Sequence, residues 1–191
     1  MDFYRLVLFL HVAAAVVLAG SALFAPLSRA AVRRAATLWE LRRALAFARD
    51  AVRVNPLAAL VLLATGLYLA AGRWSEAWLV AGAALYVASA AVAVGIEKPA
   101  MARVAAAAPP SADGPVPASV DAARESPAWD LATDALLANN VGAFFLMTYQ
   151  PGPATSAATV AACAAAVLVA RGMRRSARRE AAEAPITSLG E

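Results

Sequence analysis

Residues 6–28 read Leu-Val-Leu-Phe-Leu-His-Val-Ala-Ala-Ala-Val-Val-Leu-Ala-Gly-Ser-Ala-Leu-Phe-Ala-Pro-Leu-Ser, an unbroken run without Asp, Glu, Lys or Arg between Arg5 and Arg29. A helix rises about 1.5 Å per residue and the hydrocarbon core of a bilayer is about 30 Å thick, so the run is long enough to cross a membrane. A cleaved signal peptide is the competing reading. Asp2 offsets Arg5 in front of the run, and the run exceeds the 7–15 residues of a signal h-region, so a retained helix is expected.

Four more uncharged runs follow: Val54 to Gly72, Ala77 to Ile96, Ala135 to about Gln150, and about Thr155 to Ala170. Each reaches roughly 25–30 Å as a helix, the last two only just. The fifth is mostly Ala and depends on Val160, Val167, Leu168 and Val169 for its apolarity. Over the 191 residues, 62% are hydrophobic and 16% charged, and the mean hydropathy is +0.63. Soluble domains run near 45–50% and 25%, which excludes an ordinary globule. The fold class expected is all-α, a polytopic transmembrane helical bundle with a four-helix core in residues 1–151, a fifth C-terminal helix at 152–171, and a basic, disordered tail at 172–191.

Charge sets the orientation. Fifteen of the seventeen basic residues fall in three regions: between the first two runs, between the third and fourth, and after the fifth. Five crossings put all three on one side, leaving Arg5 and Arg73 on the other, so the positive-inside rule predicts N-out/C-in in a bacterial cytoplasmic (inner) membrane. The net charge of +4 is spent on topology and does not call for nucleic acid. Tyr4, Trp74, Trp78 and Tyr149 fall at the outer boundary, Trp39 and Trp129 at the inner one, as interfacial aromatic rings prefer.

The inner connections differ in kind. Residues 29–53 carry Leu38, Leu41, Leu45, Ala48 and Val52 on one helical stripe beside Arg42, Arg49 and Arg53. They predict an amphipathic helix on anionic lipid headgroups or an inward extension of the second span. Residues 105–128 include Ala-Ala-Ala-Ala-Pro-Pro and Ser-Ala-Asp-Gly-Pro-Val-Pro, which predicts a flexible linker without a core. Asn55-Pro56 predicts a helix start with Asn as cap, and Lys98-Pro99 a helix end.

Polar groups inside hydrocarbon are costly and therefore mark candidate sites. They are His11, Thr65, Tyr68, Asn139, Asn140, Met147 and Cys163. Because the spans alternate in direction, His11, Thr65, Tyr68, Met147 and Cys163 could share one outer-leaflet layer. Imidazole and thioether suit haem iron or copper(I), and a thiolate suits copper. His11 and Met147 are thus the candidate cofactor ligands, and His11 and Cys163 the candidate metal ligands. The competing reading gives His11 a hydrogen bond to a neighbouring helix and leaves Met147 and Cys163 as packing residues. Asn139 and Asn140 point about 100° apart, so one is expected to bond another helix. A single His rules out bis-histidine haem within one chain, and a single Cys rules out an intrachain disulfide. No P-loop, HExxH, dinucleotide fingerprint or nucleophile–base pair is present.

The stretch Phe9-Leu10-His11-Val12 with Gly20, Asn55-Pro56 leading into Leu63-Ala64-Thr65-Gly66-Leu67-Tyr68, and Phe145-Leu146-Met147 with Tyr149-Gln150-Pro151 resemble an uncharacterised family of bacterial predicted integral membrane proteins. That family is distantly similar to the membrane domain of the copper-resistance protein CopD and to HemJ-type protoporphyrinogen oxidase. The resemblance covers roughly residues 3–151 and implies a four-helix core with a helix-one histidine, here His11. The HemJ type relies on a histidine and a lysine: His11 matches the first and Lys98 the second only loosely, because Gly95-Ile96-Glu97-Lys98-Pro99 departs from the pattern. The chain lacks a Met- or His-rich cluster of the copper type, and it has Gln150-Pro151 where Lys-Pro is usual.

Three classes of function remain open: a structural or accessory membrane subunit, a haem- or copper-binding redox protein centred on His11, and a small-molecule or ion permease. Ala and Gly are dense in the third and fifth runs, which suits close packing or a homo-oligomer.

Overall fold

The computed structural model describes residues 2–108 and 114–183. They are 86% helical and contain no strand. The helices are α1 (Phe3–Arg34), α2 (Leu38–Ala51), α3 (Asn55–Leu69), α4 (Ala77–Val92), a π-turn (Ala93–Glu97), α5 (Lys98–Ala107), α6 (Ala118–Arg124), α7 (Pro127–Tyr149) and α8 (Pro153–Glu183). Five stretches are long and apolar enough to cross a membrane: Phe3–Arg34, Leu38–Leu69, Ala77–Ala107, Ala118–Tyr149 and Pro153–Ser176. All five begin or end beyond the uncharged runs, because helices continue past the hydrocarbon wherever another element covers them.

Local chemistry explains the starts. The Asp2 carboxylate accepts from the Tyr4 amide at 3.2 Å and caps α1, and Thr37 and Glu40 form a reciprocal capping box on α2, satisfying amides that a helix start leaves free. Asn55 does not cap α3 as expected. Its side chain instead accepts a hydrogen bond from Ser21 Oγ at 2.7 Å, tying α3 to α1.

Lys98-Pro99 does not end the third span. The helix widens into the π-turn, where the Lys98 amide donates back five residues to Ala93, and then continues as α5 with Pro99 in its first turn. A proline has no amide to donate and crowds the preceding turn; the extra residue of a π-turn absorbs that misfit without breaking the axis.

The spans form an arc rather than a closed ring. α1 packs against α3 on one side and α7 on the other, and α7 also packs against α4 and α8. α3 and α4, although joined by a short loop, scarcely meet; the Tyr86 hydroxyl of α4 donates to the Ala59 carbonyl of α3 at 2.9 Å. In the loop, Arg73 donates to Glu76 at 2.7 and 3.0 Å and the Trp78 indole donates at 2.5 Å. Arg73 and then Trp78 hold the Glu76 carboxyl below its usual range.

The best-packed region lies at the arginine-rich end and corrects two expectations. The stripe Leu38, Leu41, Leu45 and Ala48 does not rest on lipid: all four are buried, the three leucines in a core with Val32, Val104, Val120 and Trp129, and the Leu38–Leu69 stretch fits the other alternative, an inward extension of the second span. The 105–128 connection is not a coreless linker either. Val120 is fully enclosed, Leu38 donates its amide to the Gly114 carbonyl at 2.9 Å, and the Val116 amide reaches Ala36. Few apolar anchors suffice because α5 and the buried stripe of α2 together form the core that Val120 joins. Residues 109–113 of that connection lie outside the described residues.

Arg124 donates to the Ala35 carbonyl at 2.5 Å, placing a cation on the free carbonyls at the end of α1, where the helix dipole favours it. The basic segment after the fifth run is likewise no separate tail as far as Glu183, since α8 runs through it; residues 184–191 lie outside the described residues. A reporter enzyme fused after Glu191 is expected to be active only in the cytoplasm, and activity outside would overturn the N-out/C-in arrangement.

Candidate ligand-binding cleft

The concave side of the arc is a cleft of about 1560 Å³ walled by α1, α3, α4 and α7. One end is bounded by Tyr4, Trp74 and Trp78, the other by Arg49, Lys98 and Met101, so it follows the full length of the spans. Its walls are mainly Ala, Leu, Val and Gly. Apolar walls of this extent suit an apolar occupant, a lipid chain or a ligand.

His11 lines this cleft. Its Nδ1 lies 3.0 Å from Thr65 Oγ1, and the Thr65 hydroxyl is itself 2.6 Å from the Val61 carbonyl, to which it donates. A hydroxyl has one proton: with that proton on the Val61 carbonyl, Thr65 accepts from the imidazole, which then carries its proton on Nδ1 and its lone pair on Nε2. This is the arrangement by which an outer partner orients a ligating histidine. Gly66 makes room for the ring: a Cβ there would stand 3.2 Å from His11 Cε1.

The other candidates divide. Met147, Asn139 and Asn140 line the same cleft as His11. Asn140 Nδ2 donates to the Leu136 carbonyl of its own helix at 2.8 Å, so its bond is local and not the cross-helix bond expected. Tyr68 is not a wall residue; it is half exposed and meets Phe3 edge to face at 5.5 Å. Cys163 is buried on the far side of α7, with its Sγ 3.2 Å from the Ala138 carbonyl and packed with Leu85 and Leu146. Helix order, which periodicity does not reveal, decides this: α8 docks behind α7 and away from α1. Among the described residues no group of three or more His, Cys, Asp or Glu could hold a metal ion.

Several residues escaped the sequence. Arg29, counted there only as a loop charge, is 5% exposed and pairs with Asp130, 6% exposed, at 2.9 Å across α1 and α7. Its guanidinium lies 4.3 Å above the Trp129 ring, so Trp129 is a buried stacking partner rather than an interfacial anchor. Arg33 approaches the same carboxylate at 3.7 Å. Only the Asp130 position, one helical turn before an uncharged run, hinted at this. Glu97 lines the cleft beside Lys98, brought there by the π-turn.

Over residues 5–151 the chain matches the family described as Predicted integral membrane protein (DUF2269). The chain belongs to that family. The match ends at Pro151, so it covers the four helices that wall the cleft and leaves α8 outside. No curated protein and no solved structure gives a significant match. The DUF2269 description names a membrane location and no activity.

Proposed function

We propose that this DUF2269 member is an accessory protein of the bacterial cytoplasmic membrane that holds a hydrophobic small molecule in the cleft between α3 and α4. The observation that carries this reading is the cleft itself, with apolar walls over the whole span and a side opening where two helices meet little beyond Tyr86. An ion permease is less well supported. The charged wall residues, Arg42, Arg49, Asp50, Arg53, Arg73, Glu97 and Lys98, sit at the two ends, and between them an ion would meet a largely apolar wall whose polar groups, such as His11, Ser89, Asn139 and Asn140, include no carboxylate or fixed cation.

A haem-binding role is the second reading, favoured by His11, whose Nδ1 is engaged by Thr65, and by Met147 lining the same cleft. It is also the role that a resemblance to the CopD membrane domain and the HemJ type would imply. Porphyrin oxidation of the HemJ kind has less support, since His11 and Lys98 line opposite ends of the cleft. Copper held between His11 and Cys163 has less still, because α7 stands between them.

The test is a visible spectrum of the detergent-purified protein, oxidised and dithionite-reduced, with iron and copper analysis and mass spectrometry of its organic extract. A colourless, metal-free protein carrying an apolar molecule is the expected result. A Soret band that His11→Leu abolishes without loss of folded protein would replace this reading with the haem one.

A further inference from the structure

The two mouths of the cleft are unlike. At one, Arg73 is held by Glu76. At the other, Arg49, Arg53 and Lys98 stand against two acids, Asp50 and Glu97. Other arginines at that end are already committed, Arg29 and Arg33 to Asp130 and Arg124 to Asp121 and α1. Arg42 is engaged as well, but three mouth cations are different: Arg49 has Asp50 only at 3.9 Å with both side chains largely exposed, and Arg53 and Lys98 form no ion pair among the described residues. Arg53 lies two residues before α3, and Lys98 opens α5, which sets both at the depth where headgroups meet the hydrocarbon.

Beyond this mouth the wall turns apolar and small. A Cβ built on Gly82 meets nothing within 4 Å, although Gly82 is a wall residue buried within α4. Space is therefore left about one helical turn inside the Trp78 end of the cleft, with an excess of positive charge at the opposite end.

We propose that the cleft is a binding site for an anionic membrane phospholipid, with its phosphate at Arg49, Arg53 and Lys98 and one acyl chain lying past Gly82 toward His11. This rests on the reading of the cleft as a ligand site and adds the chemical class and the direction of its occupant. The lipid enters sideways between α3 and α4, where little separates the cleft from the bilayer. Net positive charge at the mouth selects an anionic over a zwitterionic head, and the length of the apolar wall selects a chain over a free phosphate.

The test uses the full chain in detergent, with bound lipid counted by native mass spectrometry during titration with phosphatidylglycerol or phosphatidylcholine. Wild-type protein is expected to hold one phosphatidylglycerol in preference to phosphatidylcholine. Each basic residue beside anionic lipid is worth about a fivefold factor. The triple variant Arg49→Gln/Arg53→Gln/Lys98→Gln should therefore lose the preference by about one to two orders of magnitude. Gly82→Phe should fill the chain path and abolish retention of both lipids; Gly82→Leu serves if the Phe variant does not fold.

Equal retention of the two lipids by wild type, or an unchanged preference in the triple variant, overturns the anionic assignment. The cleft reading survives that result if the Gly82 variants still block lipid. If the folded Gly82 variants retain lipid as wild type does, the cleft reading falls too. Displacement of phosphatidylglycerol by millimolar glycerol phosphate would overturn the commitment to a lipid and point to a soluble anion.

Discussion

Asp130→Ala is expected to destabilise the protein by about 3–5 kcal/mol, the cost of leaving one member of a buried ion pair without its partner. The carboxylate is 7% exposed and sits 2.9 Å from an Arg29 side chain that is 6% exposed, so water cannot replace the lost charge. Thermal or denaturant unfolding in detergent reads the effect. Arg33→Gln is the control: its contact with Asp130 is longer, at 3.7 Å, and its side chain is 38% exposed, so its loss should cost no more than about 1 kcal/mol. Exchanging the whole pair, Arg29→Met with Asp130→Leu, should recover most of the loss, because two apolar side chains need no desolvation. A double variant as unstable as Asp130→Ala would show that the guanidinium's stacking on Trp129, not the ion pair, holds α1 to α7.

Gly142→Val is the second large effect. Any Cβ at Gly142 collides with Cys163 Sγ and approaches Leu85 Cδ1 at 3.1 Å, neither of them the far end of a long flexible chain. Overpacking of this kind costs about 1–3 kcal/mol, and here it should be felt as α8 lifting from α7. The Cys163 thiol, 7% exposed, should be inert to maleimide in the wild type and should react in the variant. Gly142→Ala combined with Cys163→Ala should restore the midpoint, since the second substitution removes the atom that the first one strikes. Unchanged thiol protection in folded Gly142→Val would show that α8 does not depend on close approach at this site.

Some of this was legible from residue types alone. An uncharged run such as residues 6–28 has one low-energy state in hydrocarbon, the helix, because only there are all its amides bonded. The five spans therefore follow from composition and length, with no knowledge of neighbours. The caps at Asp2 and Thr37 are local too, needing only their own first turns, although neither is among the caps expected from sequence. His11 was singled out by the cost of a polar ring among leucines and alanines, and Thr65 was noted on the same ground.

Other expectations failed where a local rule met a distant partner. Asn55 has the chemistry of a cap, but Ser21 thirty-four residues earlier takes its oxygen. Pro99 has the chemistry of a stop, but a π-turn carries the helix past it. The 105–128 connection is too poor in apolar residues to fold by itself, yet α6 docks on α5 and Val120 is enclosed in a cluster drawn from α1, α2, α5 and α7.

The sequence by itself determined how many times this chain can cross a membrane and which segments do so, because hydrophobic length is a property of each segment alone. Which spans touch was decided only in three dimensions, through the gap between α3 and α4, the Arg29–Asp130 pair and the docking of Cys163 behind α7. Helix periodicity records which residues share a face but not which helix that face meets. The cleft belongs to that second kind of information: it exists because an arc of helices does not close, and no single helix carries the mark of it.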